Sequence, residues 1–235
     1  MVSSQRILLV AAGPREFAGL LPFCSGIRKL DWPVHWARYG ECGGRQMWMT
    51  ANGAGAACAG RAVDTASLAC RPEAIVSMGF CGALDPELKA GDVFVATAIE
   101  SDGQRFGVCL PRDGPPHATG LLASIGRVAQ TAQEKRLLRL SGASAVEMEA
   151  GGVARRAAGL GIPLFCVRSV TDTAGQDFVT DFNKALRPDG HFGTMSVLIS
   201  ALAKPGKAFP ELFRLQRSCR IATRTLGEFI AGSRF

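Results

Sequence analysis

The stretch AVEMEAGGVARRAAGLGIPLFCVRSVTDTA, residues 145–174, decides the reading of the fold. Residues 150–160 are mostly small or apolar and read as a helix, which Gly161-Ile162-Pro163 stops with residue types that end helices. Residues 163–170 are mostly apolar, the pattern of a buried strand. Asp172 follows at the carboxyl end of that strand, where open α/β sheets hold their ligands. Helix, stop, buried strand and acid in this order predict an α/β unit.

The same alternation extends toward the N-terminus. Residues 6–12, RILLVAA, read as a buried strand closed by Gly13-Pro14, and Pro14 suits the first turn of a helix over 16–21. Residues 46–51 read as a second strand, followed by Asn52-Gly53-Ala54-Gly55 and a small-residue helix over 56–69. A third strand, 73–78, ends at Gly79 and runs into the turn Gly79-Phe80-Cys81-Gly82, where a ligand could approach the backbone closely. Residues 92–99 make a fourth strand and 163–170 the fifth. The expectation is one α/β domain over 1–235, with a mixed, twisted central β-sheet flanked by helices.

Composition agrees and narrows the class. With 47% hydrophobic and 20% charged residues, the chain is neither disordered nor fibrous. It has no uninterrupted apolar run of membrane-spanning length, and its N-terminus lacks a cleavable signal layout, so a cytoplasmic protein is expected. The eight cysteines are scattered without a CxxC pair and there are three histidines. That predicts reduced core thiols, no structural disulfide and no metal; no cofactor is expected either.

The formal charge of +7 is uneven: residues 184–235 hold nine Lys/Arg against three acids. Within them Leu212, Leu215, Cys219, Ala222, Leu226 and Phe229 recur at helical spacing, with Arg217, Arg220 and Arg224 off the stripe. This predicts a basic amphipathic helix at about 206–232. It reads either as a terminal helix packed on the core or as a surface meeting anionic lipid or a partner subunit. No nucleic-acid-reading module accompanies it, so no nucleic-acid partner is expected.

Two groups of residues invite chemistry. The loop Asn52-Gly53-Ala54-Gly55 could present backbone N–H groups to a phosphate or sugar, but a dinucleotide fingerprint needs a third glycine where Cys58 stands. Glu147 and Glu149, before the helix at 150–160, could serve with Asp172 as a sugar grip and a general acid. From the residues alone, the preferred reading is that Glu147 and Glu149 are helix N-terminal acids favoured by the dipole.

Three segments together resemble the purine nucleoside and uridine phosphorylase superfamily. They are LLVAAGPREF (8–17), GFCGALDPELKAGDVFVA (79–96) and the 145–174 stretch. The likeness covers about residues 5–200 and is nearest the methylthioadenosine/S-adenosylhomocysteine nucleosidase branch. Glu134-Lys135, Gly142-Ala143 and the basic tail are similar to hopanoid-associated nucleosidases, which act on an adenosylated triterpenoid. The resemblance implies a nucleoside phosphorylase-like fold, a homo-oligomer and cleavage of a 5′-modified purine nucleoside.

By position, the resemblance assigns activation of the attacking water to Glu16 and protonation of the leaving purine to Asp172, with Thr171 beside it. It assigns ribose contacts to Met148 and Glu149, next to Glu147, and makes Gly79, Phe80, Cys81 and Gly82 line the site. A carboxyl acting as acid implies a partly buried setting that keeps its proton. Phe80 stands where the nucleosidase pattern has Ser, and Gln133-Glu134-Lys135 stands where an aromatic normally covers the base. No Arg occupies the 79–82 segment, where the phosphorylase branch binds phosphate. Water is therefore favoured as nucleophile; phosphorolysis and a non-catalytic nucleoside- or lipid-binding protein are the rivals.

Overall fold

A computed structural model describes residues 5–191 and 205–235. Lys204 of the basic tail and the last part of the resemblance, 192–200, lie outside the described residues. Among the described residues, ten strands form one mixed sheet: β1 Arg6–Ala11, β2 Ser25–Lys29, β3 Trp36–Cys42, β4 Arg45–Ala51, β5 Ala74–Ala83, β6 Val93–Ser101, β7 Gln104–Gly107, β8 Ala118–Ser124, β9 Ala143–Glu147 and β10 Leu164–Asp172. The helices are α1 Ala56–Cys70, α2 Ala132–Arg139, α3 Ala150–Leu160, α4 Phe182–Ala185 and α5 Pro205–Gly232.

The expected mixed sheet flanked by helices is present, and it closes on itself. The order is β10-β6-β8-β9-β5-β1-β4-β3-β2, and β10 also pairs with β5. Strands β5, β9, β8, β6 and β10 thus form a ring, with β1, β4, β3 and β2 as an open wing. β1, β4, β5 and β10 run parallel, so their carboxyl ends emerge together.

Strict alternation places the core on both faces of β1. Leu8 and Val10 pack with Ala62, Val63 and Val153 of α1 and α3. Ile7 and Leu9 pack instead with Leu226, Phe229 and Ile230 of α5. Such two-sided burial is why the central strands read as apolar runs with no polar alternation.

The structure corrects several expectations. Residues 16–21 do not form a helix; 3₁₀ turns at Pro14–Phe17 and Leu21–Phe23 replace it, because Gly19 must pass close to the α5 backbone. Residues 79–82 are not a turn but continue β5, since β10 and β9 both pair with them. Five strands escaped the sequence reading. β9, ASAVE, and β8, ATGLLAS, are short and small-residue-rich, and their pairing is set by closure of the ring.

A helix does span Pro205–Gly232, and its apolar stripe divides. Ala222, Leu226 and Phe229 are buried, whereas Leu212 and Leu215 are half-buried. A Cβ at Gly227 would run into the backbone of Gly19 and Leu20, so helix and turn meet glycine to glycine. Gly227→Ala should cost about 1–3 kcal/mol by overpacking and lower Tm by about 5 °C, read by thermal denaturation.

Candidate active site

A cavity of about 500 Å³ opens where the carboxyl ends of β1, β5 and β10 meet the β9–α3 junction. Glu16, Phe80, Cys81, Gly82, Glu147, Met148, Glu149, Thr171 and Asp172 all border it. Gly79 acts one step behind: a Cβ there would lie 2.6 Å from Glu16 Oε1, so glycine lets the carboxylate reach β5. Gly82 does the same for Asp172, whose Oδ2 would lie 2.8 Å from a Cβ. Gly79 and Gly82 thus seat side chains, and Gly82 also borders the cavity, whereas Gly79 does not.

Glu16 sits in the 3₁₀ turn after β1. Its Oε2 accepts from the Gly13 N–H at 2.7 Å and its Oε1 from the Phe80 N–H at 3.2 Å. Pro14 starts the turn, so the local chain, and not a helix, aims this acid into the cavity.

Glu147 stands at the start of α3 as the helix-acid reading has it. Its Oε2 accepts from the Glu149 and Ala150 N–H groups, each at 2.9 Å, at the start of α3. The same oxygen pairs at 2.8 Å with Arg168 Nη2, and both side chains are buried. Glu149 lies one residue into the junction. Its Oε1 accepts from the Gly55 N–H at 2.8 Å, and Gly55 needs φ of +97° to present it. The loop at 52–55 therefore holds a carboxylate of the protein, while Gly53 and Ala54 donate to the Ala12 and Gly190 carbonyls.

Asp172 closes β10 with Thr171 Oγ1 2.9 Å from its Oδ1. Its other oxygen meets a residue that no sequence pattern singled out as a site group. Lys135 Nζ lies 2.5 Å from Asp172 Oδ2, in an ion pair buried on both sides. Instead of the isolated, proton-holding carboxyl expected for an acid, the structure has a lysine–aspartate unit. The only signal was a lysine in the α2 segment, where surface lysines are the norm.

The aromatic wall was also out of reach of the pattern. Phe178 and Phe182, after β10, border the cavity, while the expected place upstream of β9 contributes Val128 and Ala129. The two segments are joined by the Phe178 N–H on the Gln130 carbonyl at 2.8 Å and the Val128 N–H on Asn183 Oδ1 at 2.8 Å.

Burial dominates the titration of two site acids. It raises Glu16 above the ordinary glutamate range, against donation from the Gly13 and Phe80 N–H groups and the charge of Arg168. Glu149 is pushed up to about 8, first by burial and then by the charges of Glu147 and Glu16; the Gly55 N–H and Arg168 oppose this. Three carboxyls around one guanidinium cannot all ionise cheaply.

Residues 7–117 and 109–189 match the family profile of the phosphorylase superfamily. No curated protein matches the sequence. Among solved structures, the 5′-methylthioadenosine/S-adenosylhomocysteine nucleosidase of Neisseria meningitidis, in complex with methylthio-immucillin-A, is similar at TM-score 0.69 and 19% identity. The match covers 96% of this chain and 98% of that one. The nucleosidase of S. pneumoniae, with a transition-state inhibitor, gives 0.71 and 17% over 96% and 98%. The futalosine hydrolase of Helicobacter pylori gives 0.67 and 18% over 96% and 97%.

The state of Glu149 gives the folded protein a pH signature. Its folded pKa of about 8 lies above the ordinary glutamate value of 4.5, so the folded chain keeps a proton that the unfolded chain releases. That contribution to stability is complete below about 4.5 and is lost as pH rises through about 8. Glu149→Gln, which cannot ionise, should flatten the fall in Tm over this range and melt at least ~2 °C above wild type at pH 8.5. A variant with an unchanged Tm profile would contradict this assignment.

Proposed function

The chain belongs to the phosphorylase superfamily, and from that membership we propose that it is a nucleosidase, cleaving the N-glycosidic bond of a 5′-modified purine nucleoside with water and releasing adenine. The observation that carries this reading is the meeting of Glu16, Glu149 and Asp172 on one cavity. Glycosidic cleavage develops positive charge on the ribose and negative charge on the base. Glu149 accepts from the ribose hydroxyls, Glu16 takes a proton from the attacking water, and Asp172 delivers one to the leaving purine. Phe178 and Phe182 offer flat surfaces for the base. A binding protein would have no use for three carboxyls in one cavity.

The 5′ substituent of this reading is apolar, methylthioadenosine-like or an adenosylhopane type. Leu215 of α5 borders the cavity, and the same helix exposes Phe209, Phe213 and Ile221 beside Arg214, Arg217 and Arg220. That combination suits peripheral contact with an anionic membrane while the chain works in the cytoplasm as a homodimer. Among the described residues no helix is long and apolar enough to cross a membrane. Deleting α5 would remove core residues Leu226 and Phe229, so Phe213→Ser with Arg217→Glu is the better probe. This double variant should lose co-sedimentation with phosphatidylglycerol vesicles and keep its Tm.

Phosphorolysis is the second reading, and the presence of Arg15 and Arg127 on the cavity favours it. Arg127 is already paired with Glu134, and both amino groups of Arg168 are engaged by Ser77 and Glu147, so water remains the better nucleophile. Base release from methylthioadenosine, S-adenosylhomocysteine, inosine and an adenosyl-lipid mimic, with and without phosphate, tests both. Adenine release should be independent of phosphate; release that requires it would place the chain among the phosphorylases. Glu16→Gln should lower kcat by about 100-fold while an immucillin-type inhibitor still raises Tm. Loss of inhibitor binding would make Glu16 a binding group.

A further inference from the structure

Helix α2 is packed against the usual rule of side-chain placement. Its sequence is AQEKRLLR, yet Lys135 is 1% exposed and Leu137 is 63% exposed. An ordinary amphipathic helix would bury the leucine and leave the lysine in water. Desolvating an ammonium and a carboxylate together commonly costs more than an apolar pair of the same size. Where a local rule is broken this way, the residue is under a constraint other than packing.

The surroundings of Lys135 show what that constraint is. Its Nζ donates to Asp172 Oδ2 at 2.5 Å, to the Thr173 carbonyl at 2.8 Å and to the Gln176 carbonyl at 3.4 Å. The three N–H groups of the ammonium thus meet three acceptors. The ammonium also lies 5.5 Å from the Phe178 ring centroid, behind the aromatic wall. Lys135 does not border the cavity, whereas Asp172 does. The helix is fixed in place by Thr131 Oγ1 on the Glu134 N–H at 3.1 Å and by Asp177 Oδ1 on the Ala132 N–H at 2.6 Å.

We propose that Lys135 is the positioning residue and proton source for Asp172, so that the acid of this site is the buried lysine–aspartate pair and not Asp172 alone. The inference rests on the nucleosidase reading above. As the glycosidic C–N bond breaks, its electron pair passes to the purine, and a basic ring nitrogen takes a proton from Asp172. Lys135 passes a proton to Asp172 Oδ2 in the same step, leaving a carboxylate and a neutral amine. The water oxygen bonds to C1′ and its proton goes to Glu16, so charge is conserved across the site. That proton returns to Lys135 through solvent once the base has left.

The test compares two leaving groups. A purine must be protonated to leave, whereas the nitrophenolate of p-nitrophenyl β-D-ribofuranoside leaves without a proton. Lys135→Met should lower kcat for methylthioadenosine about 100-fold, the scale of general-acid catalysis, with KM within about 3-fold. It should hydrolyse the nitrophenyl riboside near the wild-type rate. Lys135→Arg keeps the charge but cannot release a proton under these conditions, and should behave as Lys135→Met does. It carries the same comparison if the methionine variant does not fold. Wild-type rates for methylthioadenosine in either variant, or equal losses on both substrates, would overturn the role of Lys135. If wild type cleaves neither substrate, the nucleosidase reading fails and this inference falls with it.

Discussion

Arg168 and Glu147 meet at 2.8 Å in the centre of the molecule, and three strands depend on that contact. Arg168 lies in β10 and Glu147 at the end of β9, while the Arg168 amino groups also reach the Ser77 carbonyl at 2.7 Å and its Oγ at 2.8 Å in β5. Glu147 in turn accepts from the first N–H groups of α3. One buried pair therefore fixes the closure of the strand ring, the start of a helix and the position of Glu149. A buried ion pair is a poor source of net stability, but removing one partner typically costs about 3–5 kcal/mol because the other is left charged without a partner. Its use here is to make the register of β5, β9 and β10 a single solution.

The site follows from that register. Parallel β1, β5 and β10 bring Glu16, the 79–82 segment and Asp172 to one edge, and β9 delivers Glu147–Glu149 beside them. Glycine at 79 and 82 removes the Cβ atoms that would hold Glu16 and Asp172 away. The crowding has an electrostatic consequence: burial raises Glu16 and Glu149, the charges of Glu147 and Glu16 add to the rise of Glu149, and Arg168 offsets only part of it. Carboxyls raised in this way take up protons more readily than ordinary glutamates, which suits groups that exchange protons with water and sugar hydroxyls.

The two outer walls are built by long-range contacts. Phe178 and Phe182 reach the cavity because the segment after β10 is tied to 128–130. Leu215 reaches it because α5 crosses the Glu16 turn at the Gly19–Gly227 contact. One helix thus contributes to the core, to the cavity and to an exposed basic face.

Much of the fold was legible in the sequence because its central strands are buried on both sides and announce themselves as apolar runs. RILLVAA, residues 73–78 and LFCVRSV, each followed closely by Gly or an acid, were enough to predict an α/β domain with a mixed central sheet and a ligand-holding acid at a strand's carboxyl end. The pattern of acids, read with the superfamily resemblance, named the residues that border the cavity. The sequence by itself determined those strands and carboxyls, since local periodicity and composition encode burial directly. Only the tertiary structure decided the closed ring, the 3₁₀ turn that carries Glu16, the aromatic wall and the lysine behind Asp172. These depend on which distant segments meet: β9 and β8 are too short and small to signal alone, and a lysine on a polar helix looks solvated until its partner is in place. The burial of Lys135 is a property of the assembled fold, and no window of neighbouring residues contains it.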